Sequence, residues 1–280
     1  MGLKINTDIG VQGDSEIDIL NDNNVSKGIK QIVSEVMANI EKPDFKSYLL
    51  SRNTYSFPYN LFMLSRSAVD TIKLRFKIPS KIHKLSESTK FIALTALPFS
   101  AIGIKERVHL LFTETLSNAK KTDSCLEIAS EAANVFEGTG MLMEASVIIL
   151  EEARVLLPLA SALGIASTLV GLVNIVIDTR GIFKTTRTVA KIPARYKELK
   201  VAFVERFAFK NFAHALNILS TSVSFVAFSL VFFGSQPFLL AGGIVMTAGL
   251  GIGFGRMLLD IYSEQLFKER IYQIKTAAAA

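Results

Sequence analysis

Six glycines near the end of the chain are the first candidates for chemistry: Gly242, Gly243, Gly249, Gly251, Gly253 and Gly255. Gly249-x-Gly251-x-Gly253 matches the first part of the glycine fingerprint that binds dinucleotides, but the fingerprint needs a third glycine three residues after the second and a preceding strand. Phe254 occupies that third position, and the surrounding pattern is helical. The i, i+4 spacing of Gly249 with Gly253 and of Gly251 with Gly255 instead predicts close approach of two helix backbones, in lipid or in a tight soluble crossing.

The remaining reactive residue types form no recognisable constellation. The three histidines are far apart in the sequence and lack metal-ligand spacing: His83, His109 and His214. Cys125 has no nucleophile motif around it, and Glu151-Glu152 beside Arg154 is typical of a charged helix surface. The sequence therefore predicts no catalytic, cofactor-binding or metal-binding residue and disfavours an enzyme.

The elements that carry the glycines form one long uncharged run, residues 211–255, bounded by Lys210 and Arg256. Gly234-Ser235-Gln236-Pro237 divides it into two arms of nearly equal length, 215–233 and 238–255. At 1.5 Å per residue each helical arm would be roughly 27–28 Å long, close to the ~30 Å hydrocarbon core of a bilayer. The run therefore predicts a hydrophobic helical hairpin.

Two further apolar stretches precede the hairpin. Residues 155–177 form an uncharged stretch that is longer than either arm, which suits a tilted transmembrane helix. Residues 91–104 are also uncharged, but this stretch is much shorter and contains Pro98. It is too short to span easily, so we expect a buried core helix or an interfacial segment.

Residues 178–210, between the apolar regions, are strongly basic, with nine Lys and Arg against three Asp and Glu. Four of them form one stripe on a helix, at steps of four, three and four: Arg180, Lys184, Arg187 and Lys191. The stripe has two interpretations, contact with anionic lipid head groups or a solvated segment that only fixes topology. Nucleic-acid binding is disfavoured because few aromatic residues interleave with the charges.

The rest of the chain predicts an all-α protein, a helical bundle that contains the hairpin, since no segment alternates with the period of a strand. Residues 1–25 are acidic and polar and are predicted to be disordered. Residues 26–154 have amphipathic helical patterns, including a helix over 59–77 after Pro58 and a helix stop at Gly138-Thr139-Gly140. Residues 155–280 hold the hydrophobic helices, the basic connector and a final amphipathic helix that could pack on a protein partner or on the chain itself.

The two apolar arms and their sharp break resemble the bilobed hydrophobic domain of chlamydial inclusion membrane proteins. Those proteins are type III secreted effectors that insert a two-helix hairpin into the membrane of the bacterial vacuole. The acidic stretch 1–24 is similar to their secretion signals. The resemblance covers only these two parts of the chain and implies that both tails face the host cytosol, where they recruit partners. The additional span at 155–177 departs from the usual single pair of arms.

A second interpretation is a membrane-permeabilising protein. A hydrophobic hairpin surrounded by amphipathic helices also resembles the architecture of pore-forming colicins, in which the hairpin is hidden in a soluble bundle until it meets a membrane. The amphipathic helices before Val155 could supply that cover. Both interpretations predict a partner membrane, no cofactor and no nucleic acid. They differ in whether the free protein is soluble.

Overall fold

The described residues of the computed structural model are 53–77, 79–191, 197–232 and 234–279. The α-helices are α1 Asn53–Lys73, α2 Ser80–Ser88, α3 Ala93–Thr113, α4 Asn118–Ile149, α5 Leu157–Gly171, α6 Val173–Lys191, α7 Lys197–Phe232 and α8 Gln236–Ala279. Short 3-10 helices, Thr89–Ile92 and Glu151–Leu156, precede α3 and α5. No strand occurs within these ranges, and the predicted all-α class is confirmed. The predicted acidic tail, 1–25, and the stretch from 26 to 52 lie outside the described residues.

The chain folds into two compact units, and the larger contains Tyr55–Asp178 and Leu216–Gly255. In this unit α3 and α4 pack antiparallel, with Arg107 Nε 2.6 Å from Glu127 Oε2. Helix α4 begins where the Ser117 hydroxyl accepts a hydrogen bond from the backbone N–H of Lys120, since such a cap satisfies one of the free amides of the first turn. The hairpin arms belong to the same unit.

Two predicted helix boundaries are wrong. Helix α4 runs without interruption through Gly138 and Gly140, which lie at close contacts between helices. A Cβ on Gly138 would lie 2.9 Å from Leu97 Cδ2 in α3, and one on Gly140 would lie 3.1 Å from the carbonyl oxygen of Ala160 in α5. Helix α1 begins at Asn53, so Pro58 lies inside it, and the helix ends at Lys73.

The apolar stretch 155–177 forms two helical segments joined at Leu172, where the backbone makes the tighter i→i+3 hydrogen bonds of a 3-10 turn. Residues 91–104 are mostly part of α3, which continues to Thr113. Its Ala93 and Ser100 are buried, whereas Leu94 and Ile102 are exposed.

The second unit contains Thr179–Ala215 and residues 256–279 among those described. Aromatic side chains fill its core: the ring centroids of Phe203 and Phe267 are 5.2 Å apart, and Phe207 is buried beside them. Arg206 stacks over the Phe267 ring at 4.3 Å and also pairs with Glu264 Oε2 at 3.2 Å. The start of α7 and the later part of α8 are therefore joined by apolar, cation–π and ionic contacts.

Candidate functional site

The hydrophobic hairpin is formed by α7 and α8, joined by a very short turn. Helix α7 ends at Phe232, and Gly234 has φ +72°, in the left-handed region that a residue with a Cβ rarely adopts. Its N–H donates to the carbonyl of Val231, which satisfies one of the free groups at the helix end. Helix α8 begins at Gln236 with Pro237 in its first turn. The N–H that proline lacks would have no hydrogen-bond partner within the helix at this position.

Three segments are long and apolar enough to cross a membrane, judged by length and composition: Glu152–Thr186, Lys200–Phe232 and Gln236–Ile274. In the most apolar window of each, only 6%, 6% and 11% of the residues are buried. Large apolar side chains such as Leu169, Val226 and Ile244 are more than half exposed. Few residues of these segments are therefore fully buried, and each segment carries large apolar side chains that the protein leaves exposed.

Two of the four predicted packing glycines lie against the first arm. A Cβ on Gly249 would be 2.9 Å from Ser224 Oγ, 3.2 Å from Val223 Cγ1 and 3.4 Å from the carbonyl oxygen of Ser220. One on Gly253 would be 3.1 Å from Ser220 Oγ, and this hydroxyl donates to the carbonyl oxygen of Gly249 at 2.7 Å. Small residues on both arms thus permit close packing and an interhelical hydrogen bond.

The other two predicted glycines have different surroundings. A Cβ on Gly251 would meet only Leu64 Cδ1 of α1, at 3.9 Å, and one on Gly255 would have no neighbour within 4 Å. The tightest arm-to-arm contact is at Gly242, where a Cβ would lie 2.6 Å from Val231 Cγ2 and 3.0 Å from the carbonyl oxygen of Ala227. The i, i+7 spacing of Gly242 and Gly249 is the sequence signal for this contact, and the i, i+4 pairs do not include it.

Polar side chains also connect the apolar helices within the larger unit. Asp178 is only 4% exposed, and its Oδ2 accepts a hydrogen bond from Asn217 Nδ2 on α7. Ser130 Oγ of α4 donates to Asn174 Oδ1 of α6 at 2.7 Å. Such bonds replace water for polar groups in an apolar segment.

The predicted basic stripe lies on α6, which continues through Lys191 as one helix. Arg180 and Lys184 are part-buried, and the side chains of Arg187 and Lys191 lie outside the described residues. On the same helix Gly181 packs against the His214 ring of α7, and Thr185 donates to Asn211. Of the other histidines, His109 is exposed on α3. Among the described residues no group of three or more His, Cys, Asp and Glu could hold a metal ion.

A closed ring of six alternating charges, which the sequence pattern does not reveal, joins α1, α2, the 3-10 helix Thr89–Ile92 and α4. Going round, its members are Arg66, Asp70, Lys73, Glu87, Lys90 and Glu144, and each pairs with the next at an N–O distance between 2.5 and 3.5 Å. We call this set the charge ring. Its three cations balance its three anions, and a net-neutral network lowers the cost of removing charges from water.

The charge ring and its surroundings change the acidity of two carboxyl groups. Burial alone would raise the pKa of Glu87, but the hydrogen bond and charge of Lys90, helped by Lys73 and Arg66, outweigh it and lower the pKa. Burial raises the pKa of Glu137 on α4, and the Arg66 charge only partly opposes this. The pKa of Glu87 is therefore lowered and that of Glu137 is raised, although both carboxyl groups lie in the same bundle.

No family model, curated protein or solved structure matches this chain.

The hairpin offers exposed apolar side chains along arms of bilayer length, glycines at which the arms approach closely, and polar groups that are hydrogen-bonded within the protein. This combination fits a helical protein associated with a membrane.

Proposed function

We propose that the protein is an integral membrane protein that works structurally, as an anchor or scaffold that presents its amphipathic helices to protein partners at a membrane. The observation that carries the proposal is that only 6%, 6% and 11% of the residues in the most apolar windows of the three segments are buried, while Leu169, Val226 and Ile244 are about half exposed. Surface of this kind and length is stable in hydrocarbon and costly in water, at about 25 cal/mol per Å². A permanent place in the bilayer accounts for it.

The same observation weighs against the colicin-like alternative. A pore-forming protein of that kind must cover its hairpin while it is soluble, so that insertion occurs only on contact with a membrane. Val226 on the first arm and Ile244 on the second are 51% and 55% exposed. Helix α1 touches the second arm at Gly243 and Thr247 but leaves these side chains uncovered. The described helices therefore support insertion in the resting protein.

We also propose which membrane the protein occupies and in which biological setting it acts. The bilobed hairpin and the acidic stretch 1–24 support a secreted effector of a pathogen, delivered by type III secretion and inserted into the membrane of a host vacuole or inclusion. By the positive-inside rule, the basic segment 178–210 would face the cytosol, together with both ends of the hairpin. Partner recruitment would then use the cytosolic helices.

The first prediction concerns extraction from membranes. The full chain should stay in the membrane pellet after an alkaline carbonate wash and enter the supernatant only with detergent, because its apolar segments lie in hydrocarbon. Leu219→Arg together with Val226→Arg should release much of it, since each arginine near the centre of a span costs about 2.5–3.5 kcal/mol on insertion scales. The control is Val108→Arg, an exposed position of α3 outside the three apolar segments, which should leave retention unchanged.

The opposite pattern would favour the pore-forming alternative. A chain that purifies as a soluble monomer without detergent and then releases dye from vesicles containing anionic lipid would contradict permanent insertion. Equal retention of the double arginine variant and the wild type would show that the hairpin is not the anchor.

The second prediction concerns the basic stripe, for which lipid contact is proposed. Replacing Arg180, Lys184, Arg187 and Lys191 by Gln should weaken co-flotation with vesicles containing phosphatidylserine, because each cation near an anionic surface contributes about 1 kcal/mol. Added salt should reduce the difference between variant and wild type. Replacing four exposed lysines elsewhere removes the same charge and serves as the control: Lys77, Lys81, Lys105 and Lys121. If both sets of replacements weaken co-flotation equally, net charge alone explains the binding and the stripe has no specific role.

A further inference from the structure

Helix α1 carries a stripe of large apolar side chains that the rest of the protein does not cover. Leu61 and Phe62 are 40% and 41% exposed, Ile72 is 49% exposed, and Phe76 directly after the helix is 63% exposed. At 100° per residue Leu61, Phe62 and Ile72 fall within about 100° of the helix circumference, and Phe76 follows three residues after the helix ends at Lys73. We call this set the α1 stripe.

The charges of α1 lie on a different face, and its two cations are turned toward the protein. Arg66, Asp70 and Lys73 all belong to the charge ring; the side chains of Arg66 and Lys73 are only 17% and 22% exposed, and Asp70, which pairs with both, is 40% exposed. A helix on the surface of a water-soluble protein has the reverse arrangement, with charges outside and apolar residues inside. Charges directed to the bundle interior and apolar side chains directed outward are typical of a helix in lipid.

A third face of α1 rests on the second arm of the hairpin. Ser67 Oγ lies 2.9 Å and Thr71 Oγ1 3.3 Å from Thr247 Oγ1, and a Cβ on Gly243 would lie 2.7 Å from Thr71 Oγ1. With Leu64 opposite Gly251, the two helices run antiparallel. Gly243, Thr247 and Gly251 lie along the arm 238–255, so α1 runs beside the part of the hairpin that would be in hydrocarbon. Its 21 residues extend over about 31 Å, enough to cross that layer.

We infer that α1 is a further lipid-embedded helix and that the α1 stripe contacts acyl chains. The inference rests on the proposed membrane insertion of the hairpin, because α1 is hydrogen-bonded to the second arm and would share its surroundings. Composition alone does not reveal α1, since three charges interrupt its apolar sequence. In the charge ring each charge has two oppositely charged neighbours, and this pairing lowers the cost of placing the charged face of α1 at membrane depth.

The test uses the absence of tryptophan from the chain, which makes every single-tryptophan variant a clean probe. Phe62→Trp and Ile72→Trp place the probe in the α1 stripe, and Val226→Trp places a reference on the exposed side of the first hairpin arm. Met63→Trp is the matched control on the part-buried side of α1. Each full-length variant is reconstituted in phosphatidylcholine vesicles, with or without lipid brominated in the middle of the acyl chain.

Phe62→Trp and Ile72→Trp should lose as much fluorescence to the brominated lipid as Val226→Trp does, and Met63→Trp should lose clearly less. If Val226→Trp is quenched while the stripe probes are not, the inference is overturned and the proposed insertion stands. Quenching of those stripe probes by acrylamide would then place the stripe in water. Protection from acrylamide that disappears at high lipid-to-protein ratio would place it against a second copy of the chain. If Val226→Trp is also unquenched, the proposed insertion itself fails.

Discussion

Gly242→Leu should lower the free energy of unfolding by about 3 kcal/mol, the upper part of the range for overpacking a tight interior. The added Cβ would lie 2.6 Å from Val231 Cγ2, 3.0 Å from the carbonyl oxygen of Ala227 and 3.2 Å from the backbone nitrogen of Val231. A side-chain methyl can rotate away, but two backbone atoms of a continuous helix cannot. The arms must therefore separate, and their remaining contacts weaken together.

The control for this variant is Gly255→Leu in the same helix. A Cβ there has no neighbour within 4 Å, and replacing a helical glycine removes a propensity penalty of about 1 kcal/mol, so unfolding should be unchanged or slightly harder. Thermal unfolding followed by circular dichroism in detergent micelles measures both variants. A Gly242→Leu protein that unfolds at the wild-type temperature would contradict the close packing of the arms.

Gly249→Leu should be intermediate, and Gly251→Leu should have the smallest effect of the three. Gly249 meets a hydroxyl and a methyl group before it meets backbone, whereas a Cβ on Gly251 would touch only Leu64 Cδ1 at 3.9 Å. The i, i+4 spacing of Gly251 with Gly255 places Gly251 among the packing positions, so the sequence alone predicts that Gly251→Leu disrupts the hairpin. The structure moves the expected disruption to Gly242, because the i, i+4 pattern identifies small residues without showing which of them face the partner arm.

The hairpin itself could be predicted because its signal is local. A charge-free run of bilayer length and a Gly-to-Pro break fix two helices and a turn without knowledge of any distant residue, and the structure places the turn between Phe232 and Gln236. Gly138 and Gly140 show the limit of such reasoning. Glycine both ends helices and permits close helix contact, and only the positions of Leu97 and Ala160 decide between the two.

The charge ring could not be predicted for a related reason. Its members extend from Arg66 to Glu144 in four separate elements, and only the pairs within one turn of a helix, such as Arg66 with Asp70, have a sequence signature. The amphipathic pattern of 26–154 predicts charges on a solvated face. In the structure Arg66 and Lys73 of α1 point inward, because Glu144 and Glu87 provide opposite charges there.

Lys90→Met should lower the free energy of unfolding by about 2 kcal/mol, below the 3–5 kcal/mol found when a fully buried pair is broken. Lys90 bridges Glu87 and Glu144, and its own side chain is only 10% exposed. The smaller value is expected because Glu144 is 34% exposed and water can solvate part of its charge. Lys121→Met, at an exposed position of α4, is the control and should have little effect. Denaturation in mixed micelles gives both values.

The pH dependence provides a second readout of the same variant. Because the folded protein lowers the pKa of Glu87, the ring stabilises the fold above the ordinary carboxyl pKa, and this contribution is lost as the pH falls through the lowered value. Lys90→Met removes the hydrogen bond and the charge that lower the pKa of Glu87, so the stability of this variant should fall less on acidification than that of the wild type.

Glu137 acts in the opposite sense, since its raised pKa destabilises the fold as the pH rises. In a Glu137→Gln background, Lys90→Met should therefore still reduce the loss of stability on acidification. In a Glu87→Gln background, most of this effect of Lys90→Met should disappear. Parallel acid profiles of Lys90→Met and wild type would mean that Lys90 does not hold the Glu87 carboxylate in its charged form.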